Sequence, residues 1–261
     1  MGQGPGGQPV TEARTIERIA IVGGHGAMGR LFASRLESLG KTVSLLGRPL
    51  EGQSFENVLV RADLVILSVP ATALNETLDK VVPFLRGAIL SDVTSVKVVP
   101  MTTMLRHYEG PVVGTHPLFG PIIPEGFVPR VAVTPGMGAD PTSVTELLRQ
   151  MGFEPFLASA KEHDRAMAYV QGLNFTTTVA HLAAMRQVNG IERYVTPSFR
   201  RRLESAKKML TEDQELFETI SEANPFLQET LRQFTGFLNI AAGGDLELLS
   251  DRARWWWQDE T

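Results

Sequence analysis

Cysteine is absent from the 261 residues. That excludes a disulfide framework and every thiolate metal site, and it fits a reducing compartment such as the cytoplasm. Histidine is scarce: His25, His107, His116, His163 and His181 are the only five. Neither a second histidine nor a carboxylate stands near His116 in sequence, so no metal centre is expected there. Long apolar runs are missing, which leaves no membrane span to propose. A basic surplus is missing too: Lys and Arg number 25 against 29 Asp and Glu, a net charge of −4. Broad nucleic-acid binding is thereby excluded. The opening MGQGPGGQPVTEARTIER has no apolar segment like a signal peptide's, and no Ser or Thr at the sixth position for myristoylation. It reads as a flexible tail over residues 1–17.

What is present is ordinary globular chemistry, with 43% hydrophobic and 21% charged residues. The length suits one large domain or two ordinary ones. From Ile19 onward, strand and helix patterns alternate. Ile19–Val22, Thr42–Leu46, Leu64–Val69, Ala88–Leu90, Val112–Val113 and Val131–Val133 read as short strands. Between them, Met28, Leu31, Phe32 and Leu36 share a helical face, and LNETLDKVVPFL, VVPMTTMLRHY and PTSVTELLRQMG read as helices. The last of these is expected to be capped by Thr142 or Ser143. The polar stretch RPLEGQSFEN reads as a connection. Short joins between alternating elements predict a doubly wound, Rossmann-type parallel sheet covered on both faces. Past Lys161 strand signals vanish and apolar residues recur at helical spacing. The expected organisation is a dinucleotide-binding domain over 18–159 and an all-α domain over 160–261.

IVGGHGAMGRLF holds Gly24, Gly26 and Gly29 in the G-x-G-x-x-G spacing, between a strand and a helix. Glycines there let a pyrophosphate approach the backbone, and the helix start offers free N–H groups to its charge. Gly24, Gly26, Ala27, Met28 and Gly29 are therefore expected to bind a dinucleotide, with Ser68, Val69 and Pro70 at the neighbouring strand end. An NAD site normally places an acid at the end of the second strand to hold the ribose hydroxyls. Here that position reads Gly47-Arg48, and no acid occurs before Glu51. A guanidinium suits a 2′-phosphate, so NADP is preferred, with NAD possible.

Ligands of open α/β sheets sit beyond the carboxyl ends of the strands. Three segments reach that edge: Ser68–Pro70, Ser91–Lys97 and Thr115–Pro117. Together they bring the hydroxyl of Ser95, the ammonium of Lys97 and the imidazole of His116 to one rim. An imidazole, with a pKa near ~6.5, can take a proton from a substrate hydroxyl while hydride leaves the same carbon. The alternative for His116 is a turn-shaping bond to a backbone carbonyl. For Ser95 it is a helix cap, and for Lys97 a solvated place in the first helical turn. His25 reads as a tolerated residue within the glycine loop.

The motifs IVGGHGAMGRLF, DLVILSVP, SDVTSVK, GTHPLFGP and EHDRAMAYVQ, in this order and spacing, resemble the prephenate dehydrogenase family of tyrosine biosynthesis. The likeness runs from about residue 18 to Trp257. It does not extend to a fused chorismate mutase segment, for which the stretch before Ile19 is too short. The resemblance implies a cytoplasmic homodimer that converts prephenate and NAD(P)⁺ to 4-hydroxyphenylpyruvate, CO₂ and NAD(P)H. It implies that His116 accepts a hydrogen bond or a proton from the C4 hydroxyl, that Ser95 holds that hydroxyl or orients His116, and that Lys97 lies near the substrate or nicotinamide. It further implies Arg200, Lys208 and Gln171 as substrate-binding residues. Lys208 stands where the family has an arginine, and Phe175 where many members have a histidine. Those two departures keep open arogenate as the substrate, or a non-catalytic NADP-binding regulator. A β-hydroxyacid or imine reductase is the other alternative, but it leaves GTHPLFGP unexplained. Glu162-His163-Asp164 reads as helix capping and interdomain packing. Phe226, Leu227, Leu231, Phe234, Phe237 and Leu238 read as a dimer seam or their own core, and Trp255–Trp257 as terminal packing.

Overall fold

The computed structural model describes residues 14–211 and 214–260. The chain divides into two compact units, one ending at Ala160 and the other beginning at Lys161.

The first unit carries seven strands: β1 (Arg18–Val22), β2 (Thr42–Leu46), β3 (Leu64–Leu67), β4 (Ile89–Asp92), β5 (Val113–Pro117), β6 (Arg130–Pro135) and β7 (Glu154–Leu157). Its helices are α1 (Ala27–Ser38), α2 (Gln53–Arg61), α3 (Leu74–Val81), α4 (Val98–His107) and α5 (Thr142–Gln150). The first four strands form a parallel sheet in the order β2-β1-β3-β4. Alternation along a strand divides its side chains between two cores. Ile19, Ile21, Leu64 and Ile66 meet Phe32 and Leu36 of α1 and Val144, Leu147 and Leu148 of α5. Ala20, Val22, Val65 and Leu67 meet Phe55 and Leu59 of α2, Leu74 and Leu78 of α3, and Met101 and Met104 of α4. Both faces are thus buried, which is why these strands read as unbroken apolar runs.

Three local departures from the sequence reading have physical causes. Helix α2 occupies what reads as a polar connection, because Phe55 and Leu59, four residues apart, make an apolar stripe on an otherwise polar segment. Helix α5 is not capped by Thr142 or Ser143: the Asp140 carboxylate accepts from the amide of Thr142 at 2.9 Å and from its hydroxyl at 2.5 Å. The sheet is also not wholly parallel. β4 continues to β5 through a parallel bridge, Leu90 to Val112, but β6 runs antiparallel to β5 and β7 parallel to β6. A parallel return needs a crossover element. The connection over residues 118–129, rich in Pro and Gly, contains no helix.

The expected tail, residues 1–17, lies outside the described residues up to position 13. Its last four residues are part of the fold: Ile16 is buried in the core, Lys41 pairs with Glu17 at 2.8 Å, and Arg14 donates to the Gly87 carbonyl at 2.5 Å.

The second unit is helical: α6 (Ala160–Met167), α7 (Asn174–Met185), α8 (Pro197–Thr211), α9 (Gln214–Ala223), α10 (Leu227–Ala242) and α11 (Leu246–Ala253). A wide helical turn of the π type, Ala168–Leu173, joins α6 to α7. Gly172 within it is buried against Leu227, and a Cβ there would lie 2.7 Å from a Leu227 methyl. Phe226 carries the Arg165 guanidinium over its ring at 5.2 Å. So Phe226 and Leu227 close their own unit, whereas Phe237 and Leu238 are exposed. Trp255, Trp256 and Trp257 are more than half exposed, and Trp255 stacks on Trp256 at 4.4 Å. They are not packed into the unit as the sequence suggests, because the last helical turns end at the surface. Among the described residues no helix is long and apolar enough to cross a membrane.

Asp63 fastens the start of β1 to the start of β3. Its carboxylate accepts from the amides of Arg18 (2.8 Å) and Glu17 (3.1 Å) and from the Arg18 guanidinium (2.9 Å). Burial pushes this carboxyl up, but the two amides and the guanidinium together outweigh it and hold it below the usual aspartate value. A depressed carboxyl contributes stability at neutral pH that is lost on protonation. Asp63→Asn should therefore lower unfolding free energy at pH 7 by about 1–2 kcal/mol. In urea titrations this difference should shrink as pH falls through the ordinary value near ~3.9 and below.

Candidate functional site

The carboxyl ends of β1 to β5 lie on one edge of the sheet, and the glycine loop stands there between β1 and α1. Gly23 has φ +78°, and a Cβ on it would meet the Ser68 carbonyl oxygen at 2.2 Å. Glycine is needed at 23 on both counts. A Cβ on Gly24 would strike Leu45, and one on Gly29 would lie 2.6 Å from the Gly24 Cα. These two glycines let α1 approach β1. Gly26 differs: its Cβ would meet only the Gly23 oxygen, at 3.3 Å, so a side chain there would fill the space ahead of the helix. Gly26 is the N-cap of α1, and no side chain caps the helix. The amides of Ala27, Met28 and Gly29 are left to face a ligand, as the first turn of a helix requires. The loop and helix start therefore fit a pyrophosphate.

The same contacts gather the other expected cofactor residues. Ser68 and Val69, half-buried, lie directly on Gly23, and Pro70 follows at the surface. Gly47 and Arg48 follow β2, whose Leu46 carbonyl accepts from the amides of Gly23 (2.8 Å) and Gly24 (3.3 Å). Arg48 is exposed.

His116 is not on a turn. It is the fourth residue of β5, opposite Ala132 of β6, and only 3% exposed. The strand extends to Pro117 because proline at a strand end leaves no ladder bond unmade. Gly114 and His116, two apart, face one side of the sheet. On that side a Cβ at Gly114 would meet the Met101 sulfur at 2.5 Å, Asp92 Oδ1 at 3.1 Å and Lys97 Cδ at 3.4 Å. His116 thus shares its face with an acid and a lysine from the β4–α4 connection.

That acid, Asp92, ends β4 and is wholly buried, as is Lys97. Asp92 Oδ2 accepts from Lys97 Nζ at 2.5 Å, from the Thr94 amide at 3.1 Å and from the Thr94 hydroxyl. Lys97 Nζ also donates to Thr94 Oγ1 at 3.1 Å, and the Thr115 hydroxyl donates to the Asp92 carbonyl at 2.6 Å. Lys97 is accordingly not a solvated residue of the first helical turn. A buried ammonium requires a buried partner, and SDVTSVK supplies one five residues earlier. Ser95, at the crest of this loop, is half-buried and does not cap α4. Sequence reasoning missed Asp92, Thr94 and Thr115. The signal was available in a lysine and an aspartate flanking a single tight turn.

In the second unit, Arg200 and Lys208 are exposed on α8. Their spacing puts them about 80° apart around the helix axis. Gln171 lies in the π-type turn, and its Oε1 is buried without a hydrogen-bond partner among the described residues. Phe175 is buried and stacks on Phe217, with centroids 5.2 Å apart and planes 11° apart. His163 and Asp164 are buried on α6, whose first turn holds Glu162. They bond to each other at 2.7 Å, and the Asp164 carbonyl accepts from Asn224 Nδ2 at 2.8 Å. Asn224 was not foreseen. Among the described residues no cluster of His, Asp and Glu could hold a metal ion.

Residues 49–127 match the family model described as prephenate dehydrogenase, nucleotide-binding domain. The T-protein of Haemophilus influenzae is 34% identical over 229 residues, covering 84% of this chain and 60% of that protein. A probable arogenate/prephenate dehydrogenase of Methanocaldococcus jannaschii is 28% identical over 240 residues, covering 83% of this chain and 54% of that protein. The chain thus spans less than two thirds of the length of these curated relatives. The fold matches a prephenate dehydrogenase from A. aeolicus, solved with hydroxyphenyl propionate and NAD⁺. That match has a TM-score of 0.75 at 21% identity and covers 93% of this chain and 96% of the other.

Because Lys97 and Asp92 form one buried pair, removing either charge alone is costly. Lys97→Met should lower the unfolding free energy by about 3–5 kcal/mol, because it strands a buried carboxylate. Adding Asp92→Asn should recover part of that loss in the same urea titration. The matched motifs, the curated relatives and the shared architecture lead to one statement: the chain belongs to the prephenate dehydrogenase family.

Proposed function

We propose that this protein oxidatively decarboxylates prephenate to 4-hydroxyphenylpyruvate, using NADP⁺ in preference to NAD⁺. The observation that carries the reading is the placement of His116. It is a strand-end imidazole on the edge that holds the glycine loop, with the Ser95 loop anchored beside it. When bound, the nicotinamide supplies the acceptor for the hydride that leaves C4 of the substrate ring. The residues of the chain do the rest. His116 takes the proton of the C4 hydroxyl at a ring nitrogen as the carbon–hydrogen bond breaks. The Ser95 hydroxyl holds the same substrate oxygen. Loss of the ring carboxylate as CO₂ then restores aromaticity, which drives the reaction forward.

Lys97 serves as a positioning residue in this reading. Its ammonium is held by Asp92 and Thr94, and through them it fixes the turn that carries Ser95. The two substrate carboxylates are assigned to Arg200 and Lys208, the arginine offering two parallel bonds and the lysine a point charge. Gln171, whose buried oxygen lacks a donor among the described residues, is assigned to a polar group of the substrate. Gly24, Gly26, Ala27, Met28 and Gly29 cradle the pyrophosphate, Ser68–Pro70 border it, and Arg48 with Gly47 receives the 2′-phosphate. The domain division follows the same assignment, with the cofactor half ending near residue 159 and the helical half carrying substrate and dimer contacts. Exposed Phe237, Leu238 and Leu246 suit a homodimer seam. Arogenate is the second reading: Phe175, buried against Phe217, offers no polar group to a pyruvyl arm.

Purified protein given prephenate and NADP⁺ should generate reduced cofactor, read as rising absorbance, and a parallel arogenate assay separates the two substrates. His116→Asn should lower kcat by about 10²–10⁴-fold while cofactor affinity stays nearly constant. Turnover at the wild-type rate would remove His116 from the mechanism. Arg48→Ala should weaken NADP⁺ by about tenfold and leave NAD⁺ almost unaffected; equal weakening of both would overturn the cofactor assignment.

A further inference from the structure

The glycine loop holds an imidazole that the reading so far does not use. His25 stands between Gly24 and Gly26 and is exposed. Its ring does not point away from the protein: a Cβ built on Gly47 would lie 2.8 Å from His25 Cδ2 and 3.4 Å from Nε2. The Cδ2–Nε2 edge of the imidazole therefore rests on the backbone of Gly47, one residue before Arg48. Its ring nitrogens have no partner among the described residues.

Three bonds fix this placement. The Gly23 and Gly24 amides hold the loop to the Leu46 carbonyl at 2.8 and 3.3 Å, and Arg30 Nε on α1 donates to the His25 carbonyl at 2.9 Å. The first turn of α1 has no acid, and after β2 none occurs before Glu51. The ring thus rests on the backbone of Gly47, Arg30 holds the carbonyl of the same histidine, and Arg48 follows Gly47 in the chain. These surroundings are suited to an anion.

From this we infer that His25 is a second specificity-determining residue for the cofactor, donating from Nε2 to the adenosine 2′-phosphate beside Arg48. The inference rests on the NADP reading above and deepens it. A ring N–H donates to a phosphate oxygen whether the imidazole is neutral or charged. The geometry also links two features of the sequence that otherwise look separate. A side chain at position 47 would have to displace the imidazole, so the acid that would hold an unphosphorylated ribose and the histidine that would hold a phosphate compete for one place. Gly47 is the residue that admits His25.

Equilibrium binding of NADP⁺ and NAD⁺ to the full chain, by calorimetry, tests this with four variants. His25→Ala should weaken NADP⁺ by about tenfold and change NAD⁺ by less than about twofold, the size expected for one hydrogen bond to a charged group. His25→Gln, which keeps a donor, should recover part of the NADP⁺ affinity. Gly47→Asp should reverse the preference towards NAD⁺. Unchanged NAD⁺ affinity in the two His25 variants reports an intact loop. If the wild type prefers NADP⁺ and Arg48→Ala abolishes that preference while His25→Ala leaves it in place, His25 does not read the phosphate and this inference alone fails. Equal losses for both cofactors in His25→Ala would make the histidine a loop-shaping residue and overturn it too. A wild type with no preference for NADP⁺ would overturn both the cofactor assignment and the inference built on it.

Discussion

The buried pair between Asp92 and Lys97 is the contact on which the rim beside His116 depends. It joins the end of β4 to the start of α4 across a turn of four residues, and Thr94 completes it from within that turn. β5 is bound in as well, through the Thr115 hydroxyl and through Gly114, whose missing side chain leaves room for the pair. A buried ion pair is a poor source of net stability, since the desolvation of both charges offsets most of their attraction. What it supplies is geometry. With both charges enclosed, the turn has few alternative arrangements that keep them together, and Ser95 and His116 inherit that constraint.

The cofactor half works by a different physics. Its precision comes from atoms that are not there: no Cβ at Gly23, Gly24 or Gly29, and no capping side chain at Gly26. Close approach of α1 to β1 places unsatisfied amides at the mouth of the loop without any charged residue being spent. Charged side chains stand at the borders of the loop, Arg30 on α1 and the exposed Arg48 after β2. The division suits a ligand whose diphosphate is shared by every dinucleotide and whose ribose substituent is not.

Much of this was legible in the sequence, for identifiable reasons. The four parallel strands showed because both their faces are buried, which turns Ile19–Val22 and Leu64–Leu67 into continuous apolar runs. The glycine spacing showed because the steric demand at each position is absolute. What stayed hidden depended on contacts between distant residues. β6 runs antiparallel because the connection before it lacks a helix, and a short apolar run does not reveal its direction. Helix α2 was masked by its polar face, and the extent of β5 was obscured by Pro117. Asp92 looked like one more residue of a loop until burial gave it the charge of Lys97 to answer. Ile16 looked like tail because a single apolar residue among polar ones has no period.

The reversal of β6 has a consequence for how such a fold can diversify. Because β5 is followed by a return in the opposite direction, the segment 118–129 emerges beside His116 and goes back into the sheet from the same side. A helical crossover would instead have carried the chain away to the far edge. The segment bears exposed Ile122, Phe127 and Val128 and has no helix to preserve. Its length and composition can drift without disturbing the parallel strands that carry the nucleotide. The surface of this edge can therefore be reshaped on one short ribbon while the parallel sheet underneath stays the same.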